Sequence, residues 1–127
     1  MENPTLQIHT DQMNPPANAS TLIDARQIAY QNCNTVSSSL ITILVVAYNR
    51  LEKTKRCVES ILNYTQGIDY ELLLVDNGSS DGTLAYFQNV PYQKTTVWKI
   101  THNVGLSYAL ALAMRYFHTE YFVSVSN

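Results

Sequence analysis

Residues 40–47, Leu40-Ile41-Thr42-Ile43-Leu44-Val45-Val46-Ala47, decide the fold. Apolar and β-branched side chains follow one another without a polar face. Such a strand is covered on both sides, as inside a parallel sheet. Parallel neighbours need a crossover, usually a helix, and the sequence on either side supplies one repeatedly. Asn49, with Glu52 three residues on, has the spacing of a capping box. It predicts a helix to about residue 65, with Leu51, Val58, Ile61 and Leu62 on one face. Gly67 stops that helix. Residues 70–75 (YELLLV) read as a second buried strand, which ends in the turn-forming run Asp76-Asn77-Gly78-Ser79-Ser80-Asp81-Gly82. A shorter helix is expected over 83–89. Residues 95–101 (TTVWKIT) alternate and predict a third strand. Gly105 then precedes a helix with Leu106, Leu110, Ala113 and Phe117 at helical spacing, and residues 120–126 (EYFVSVS) predict a fourth strand.

The order β-α-β-α-β-α-β with short connections argues for an α/β fold: three αβα layers, Rossmann-like, around a mostly parallel four-stranded sheet. Ligands of such sheets bind beyond the carboxyl ends of the strands, where strand order reverses. Residues 47–50 and 76–82 are therefore expected to face one crevice.

Outside this block the composition changes. Residues 1–39 are rich in Asn, Gln, Ser, Thr and Pro and carry the whole net charge of −2, whereas residues 40–127 are balanced. The first 39 residues hold too few large apolar side chains to offset their ordering entropy. They read as a flexible leader, with a short helix over residues 21–33, around Leu22, Ile23, Ile28 and Tyr30, as the alternative. The lack of a basic surplus argues against a nucleic-acid partner. No apolar run approaches the roughly 18 residues of a membrane span. No secretory signal is visible at the N-terminus, which makes the cytoplasm, or the inner membrane face for a longer parent protein, the expected location. Cys33 and Cys57 make no metal spacing and no disulfide framework. His9, His102 and His118 are unclustered. No G-x-G-x-x-G or P-loop follows the first strand, which weighs against a dinucleotide-binding or P-loop domain.

Three segments, VVAYNR (45–50), LLLVDNGSSDGT (72–83) and NVGLSYALALA (103–113), resemble the family 2 glycosyltransferases of GT-A fold, in that family's order and spacing. The resemblance covers residues 40–127. It implies that they form the N-terminal, nucleotide-sugar-binding half of such a domain, with the first strand central, the second and third to one side and the fourth on the other. It also implies transfer of a hexosyl or similar sugar from a UDP- or dTDP-linked donor to a glycan or other hydroxyl acceptor, as in polysaccharide biosynthesis.

By that resemblance the donor site comprises Ala47, Tyr48, Asn49, Arg50, Asp76, Asn77 and Gly105, with Asn103 beside Gly105. Tyr48 would stack on the base and Asp76 would hydrogen-bond it, at a strand end open to solvent. Each residue also has a plainer reading. Tyr48 is one of nine tyrosines. Asp76 and Asn49 suit turn and cap positions, Asp81 reads first as an N-cap, Arg50 suits a solvated helix start, and Gly105 suits an unusual backbone conformation. The family often carries polar residues within its third helix, where this chain has SYALALAM. The family's cation-binding Asp-x-Asp motif, for Mn2+ or Mg2+ on the donor diphosphate, would lie beyond Asn127. No metal ligand and no catalytic residue is therefore expected within these residues, and the 127-residue chain alone is expected to be inactive. The alternative is a non-catalytic glycosyltransferase-like binding or regulatory module. An uncovered fourth strand is an edge suited to self-association through residues 121–126.

Overall fold

The computed structural model describes residues 28–33, 38–115 and 117–126. The elements run β1 (Ile28–Cys33), β2 (Ile41–Ala47), α1 (Leu51–Tyr64), β3 (Tyr70–Asp76), α2 (Thr83–Gln88), β4 (Thr95–Ile100), α3 (Leu106–Met114) and β5 (Tyr121–Val125). They form one sheet of order β1-β4-β3-β2-β5. β4, β3, β2 and β5 are mutually parallel, and Ile41 to Val45 of β2 register with Tyr121 to Val125 of β5. The expected central position of the first buried strand is thus met. The topological switch point falls at β2, between β3 and β5.

The layers follow from period-two alternation along the strands. Leu44, Leu73, Val75, Trp98 and Ile100 pack with Ala109, Leu112 and Ala113 of α3 on one face. Ile43, Val45, Ala47, Leu72, Leu74 and Val97 pack with Val58 and Ile61 of α1 and Phe87 of α2 on the other. α3 is turned relative to the expected apolar stripe: Leu106 is 55% exposed and Phe117 lies beyond the helix end. The buried face consists of Ala109, Leu112 and Ala113.

Two expectations need correction. The sheet has five strands among the described residues, not four, because residues 28–33 form a strand rather than part of a helix. β1 runs antiparallel to β4, with Ile28 beside Ile100 and Cys33 beside Thr96, and an irregularity between Ile28 and Tyr30. The physical reason is the outer edge of β4. Left alone it would expose a row of unpaired backbone groups, and a local helical preference is weak against such pairing. Residues 1–27 and 34–37, which hold most of the expected leader and the start of the expected helix, lie outside the described residues. The second correction concerns the start of α1. Glu52 does not close a capping box; it pairs with Lys55 at 3.2 Å.

Candidate nucleotide-binding site

Three loops meet at the carboxyl pole of the parallel strands. Tyr48, Asn49 and Arg50 leave β2, residues 77–82 leave β3, and residues 101–105 leave β4. Between them lies a cavity of about 320 Å³, lined by Val46, Tyr48, Arg50, Asn77, Asn103, Gly105 and Leu106. That volume is at the low end for small-molecule sites. A second cavity, of about 390 Å³, lies at the opposite pole against Leu62, Ile68, Tyr70 and Tyr92. Its lining carries no charged side chain, and it stands away from the switch point. The carboxyl-pole cavity is therefore the candidate site despite its smaller volume.

The β2–α1 turn is strained. Asn49 and Arg50 both take left-handed backbone conformations, with φ of 54° and 57°. Asn tolerates this region; Arg does so at a cost of about 1–2 kcal/mol. Such strain persists only where the surroundings over-determine it, and here the β3–α2 loop does so. The Asn49 N–H donates to Ser79 Oγ at 2.8 Å, and Asn49 Oδ1 accepts from the Ser80 N–H at 3.0 Å. Asn49 therefore ties two loops together, and the helix cap comes from elsewhere. Asp81 Oδ2 accepts from the Leu51 N–H at 3.1 Å, capping α1 from the neighbouring loop. Asp81 Oδ1 accepts from the Thr83 N–H at 3.0 Å at the start of α2. One carboxylate thus serves two helix starts. Burial alone would raise the Asp81 carboxyl, but the hydrogen bonds from Thr83 and Leu51 outweigh it and hold it below its ordinary value.

The second loop is fastened to the third. Asn77 Oδ1 accepts from the Val104 N–H at 3.1 Å, and Asn77 Nδ2 donates to Asn103 Oδ1 at 3.1 Å. Asn103 Oδ1 also accepts from the Gly105 N–H at 2.9 Å. Gly78, at φ 82°, lies so close to the His102–Asn103 backbone that a Cβ there would meet His102 C at 2.4 Å.

Asp76 departs from the sequence reading. It is fully buried and stands outside the cavity lining, not at an open strand end. Its Oδ1 accepts from the Ser79 N–H at 2.9 Å, and its Oδ2 accepts from Lys99 Nζ at 2.9 Å. Lys99 Nζ also donates to the Ser79 carbonyl at 2.8 Å. The carboxylate closes its own turn because two donors compensate its loss of water. Ala47 is likewise buried and meets the site through its carbonyl, which accepts from the Asn77 N–H at 2.8 Å. Of the residues singled out from the sequence, Tyr48, Arg50, Asn77, Asn103 and Gly105 thus line the cavity. Ala47, Asn49 and Asp76 support it from behind.

Lys99 was not legible as a site residue, although a signal existed. It is the one charge in β4, and its register partner across the sheet is Asp76. Val46 and Leu106, which add apolar lining, read from sequence simply as core positions. Among the described residues, no three His, Cys, Asp or Glu side chains come together to hold a metal ion. The described cavity lining offers no carboxylate. The divalent cation implied by the family resemblance therefore has no fitting ligand set here.

Among the described residues, no helix is long and apolar enough to cross a membrane. No curated protein matches the sequence. The family model described as glycosyl transferase family 2 matches residues 42–125, which take in β2 from its second residue, β3 to β5, all three helices and every residue of the cavity lining. With four parallel strands, helices on both faces and a cavity at the switch point, the chain belongs to the family 2 glycosyltransferases.

Proposed function

We propose that the carboxyl-pole cavity takes the nucleotide diphosphate of a UDP- or dTDP-sugar drawn from a cytoplasmic pool. The sugar then passes to a hydroxyl of a glycan or similar acceptor. One observation carries this reading: a single strained turn presents an aromatic ring and a cation to the same cavity. Tyr48 is 48% exposed and has Val46 and Leu106 as apolar neighbours in the lining. A base stacked on such a ring gains about 1–3 kcal/mol. Arg50 is exposed and offers a planar fork of donors suited to phosphate oxygens. Asn103, on the third loop, adds a side-chain amide at the cavity wall.

A second reading is supported by the lining itself. In it the chain is a glycosyltransferase-like binding or regulatory module, in which the same ring and cation hold a nucleotide without transfer. A titration of labelled protein with UDP and dTDP tests the site. Weak binding is expected, with shifts clustered at residues 47–50 and 76–79, and Arg50→Ala should weaken it roughly tenfold or more. Shifts scattered away from these residues would overturn the assignment. Turnover of a labelled nucleotide sugar separates the two readings. Binding without transfer is the expected result for the isolated chain.

We also propose self-association through β5. Among the described residues its outer side is a sheet edge, Tyr121 and Val123 are 57% and 47% exposed, and the strand carries no charge to discourage pairing. Sedimentation velocity should show mass rising with concentration. A clean monomer at high concentration would end this proposal.

A further inference from the structure

We infer that Lys99 is the positioning residue of the candidate site. It holds the Tyr48–Arg50 turn in its left-handed form without touching the ligand, an inference that rests on the nucleotide reading of the cavity. Lys99 rises from the end of β4 with its side chain 18% exposed, beside the fully buried side chain of Asp76. Its ammonium reaches both Asp76 Oδ2, at 2.9 Å, and the Ser79 carbonyl, at 2.8 Å. Asp76 Oδ1 takes the Ser79 N–H. Ser79 is thus gripped at both its backbone groups by one ion pair. Its remaining polar atom, Oγ, accepts the Asn49 N–H at 2.8 Å.

The chain of contacts therefore runs from β4, through Asp76 and Ser79, to the first of the two left-handed residues. Arg50, the second of them, lines the cavity, as does Tyr48. Lys99 itself is not in the lining. A charge placed this way sets where Arg50 and Tyr48 stand while remaining out of ligand reach. The same pair fixes the loop that carries Asn77, so two of the three walls of the cavity depend on it.

The test uses the full chain and two variants. Lys99→Arg keeps the cation. The double variant Asp76→Asn/Lys99→Met removes both charges, so that no unpaired buried carboxylate unfolds the protein. Amide hydrogen exchange is read without ligand at Asn49 and Ser80, with Leu74 inside β3 as reference, and UDP affinity is read by NMR titration. In the double variant, exchange at Asn49 and Ser80 should quicken at least tenfold while Leu74 stays slow. UDP binding should weaken at least tenfold, and Lys99→Arg should hold both readouts within about threefold of the parent. Unchanged exchange at Asn49 and Ser80 in the double variant overturns the inference. So does quickened exchange with unchanged UDP affinity. A parent chain that binds no UDP overturns the nucleotide reading instead, since the exchange measurement needs no ligand.

Discussion

Gly78→Ala is expected to cost about 3–5 kcal/mol of stability, a large share of what a domain this size has. Three effects combine. An L side chain at φ 82° costs about 1–2 kcal/mol. Its Cβ would stand 2.4–2.7 Å from backbone atoms of His102 and Asn103, and a backbone has no flexible end to swing aside. The forced separation costs a further 1–3 kcal/mol, roughly. It also stretches the bonds from Asn77 to Asn103 and Val104, worth about 1 kcal/mol each. The control lies in the same loop. Gly82 has an ordinary φ of −78°, and a Cβ there meets only the flexible end of Leu51, at 3.2 Å. Gly82→Ala should therefore stay within about 1 kcal/mol. Urea unfolding of both variants checks the contrast, and equal midpoints would show that the two loops are not locked together. Nucleotide binding should fall with Gly78→Ala even at temperatures where the fold survives, because Asn77 and Asn103 line the cavity from opposite sides of that contact.

Phe87→Ala should cost about 3–5 kcal/mol as well, by a different route. Phe87 is 1% exposed and is the large anchor of α2, a helix of only six residues. Isolated helices that short do not form in water. α2 therefore exists through Phe87, together with buried Thr83 and the Asp81 contacts at its start. Loss of the ring leaves a cavity in the core cluster that Phe87 shares with Ile43, Val45, Leu72 and Leu74, with the usual penalty for a large-to-small core change. The Asp81 carboxylate would then lose its Thr83 partner, and with it the geometry that caps α1. Thermal unfolding measures the first effect and amide exchange at Leu51 the second. A variant that keeps Leu51 protected would show that Asp81 is held by α1 alone.

These two outcomes bear on what was readable beforehand. The buried parallel sheet was readable because its signal is local and redundant. Residues 41–47 and 70–75 are apolar on both faces, and each is followed by a glycine- or asparagine-containing turn and an amphipathic run. The position of the site followed from strand order. Tyr48, Arg50, Asn77 and Gly105 were named through the family resemblance, and they line the cavity because they lie at strand ends or helix starts, where the chain itself marks the pole. The strand β1 was not readable. Ile28–Cys33 has no strong pattern of its own and becomes a strand by pairing with an edge that only the assembled sheet presents.

The amino-acid sequence by itself determined the layers and the pole at which the loops gather, since hydrophobic period and turn chemistry are properties of neighbouring residues; the central place of β2 was implied only by the family resemblance. The tertiary structure alone decided which polar side chain does what. Asp76 is buried on Lys99, 23 residues away; Asn49 bonds Ser79 and Ser80 across 30 and 31; and Asp81 caps a helix that begins 30 residues before it. A carboxylate or an amide takes whichever partner the fold brings within 3 Å or so, and its own flanking residues do not record that choice.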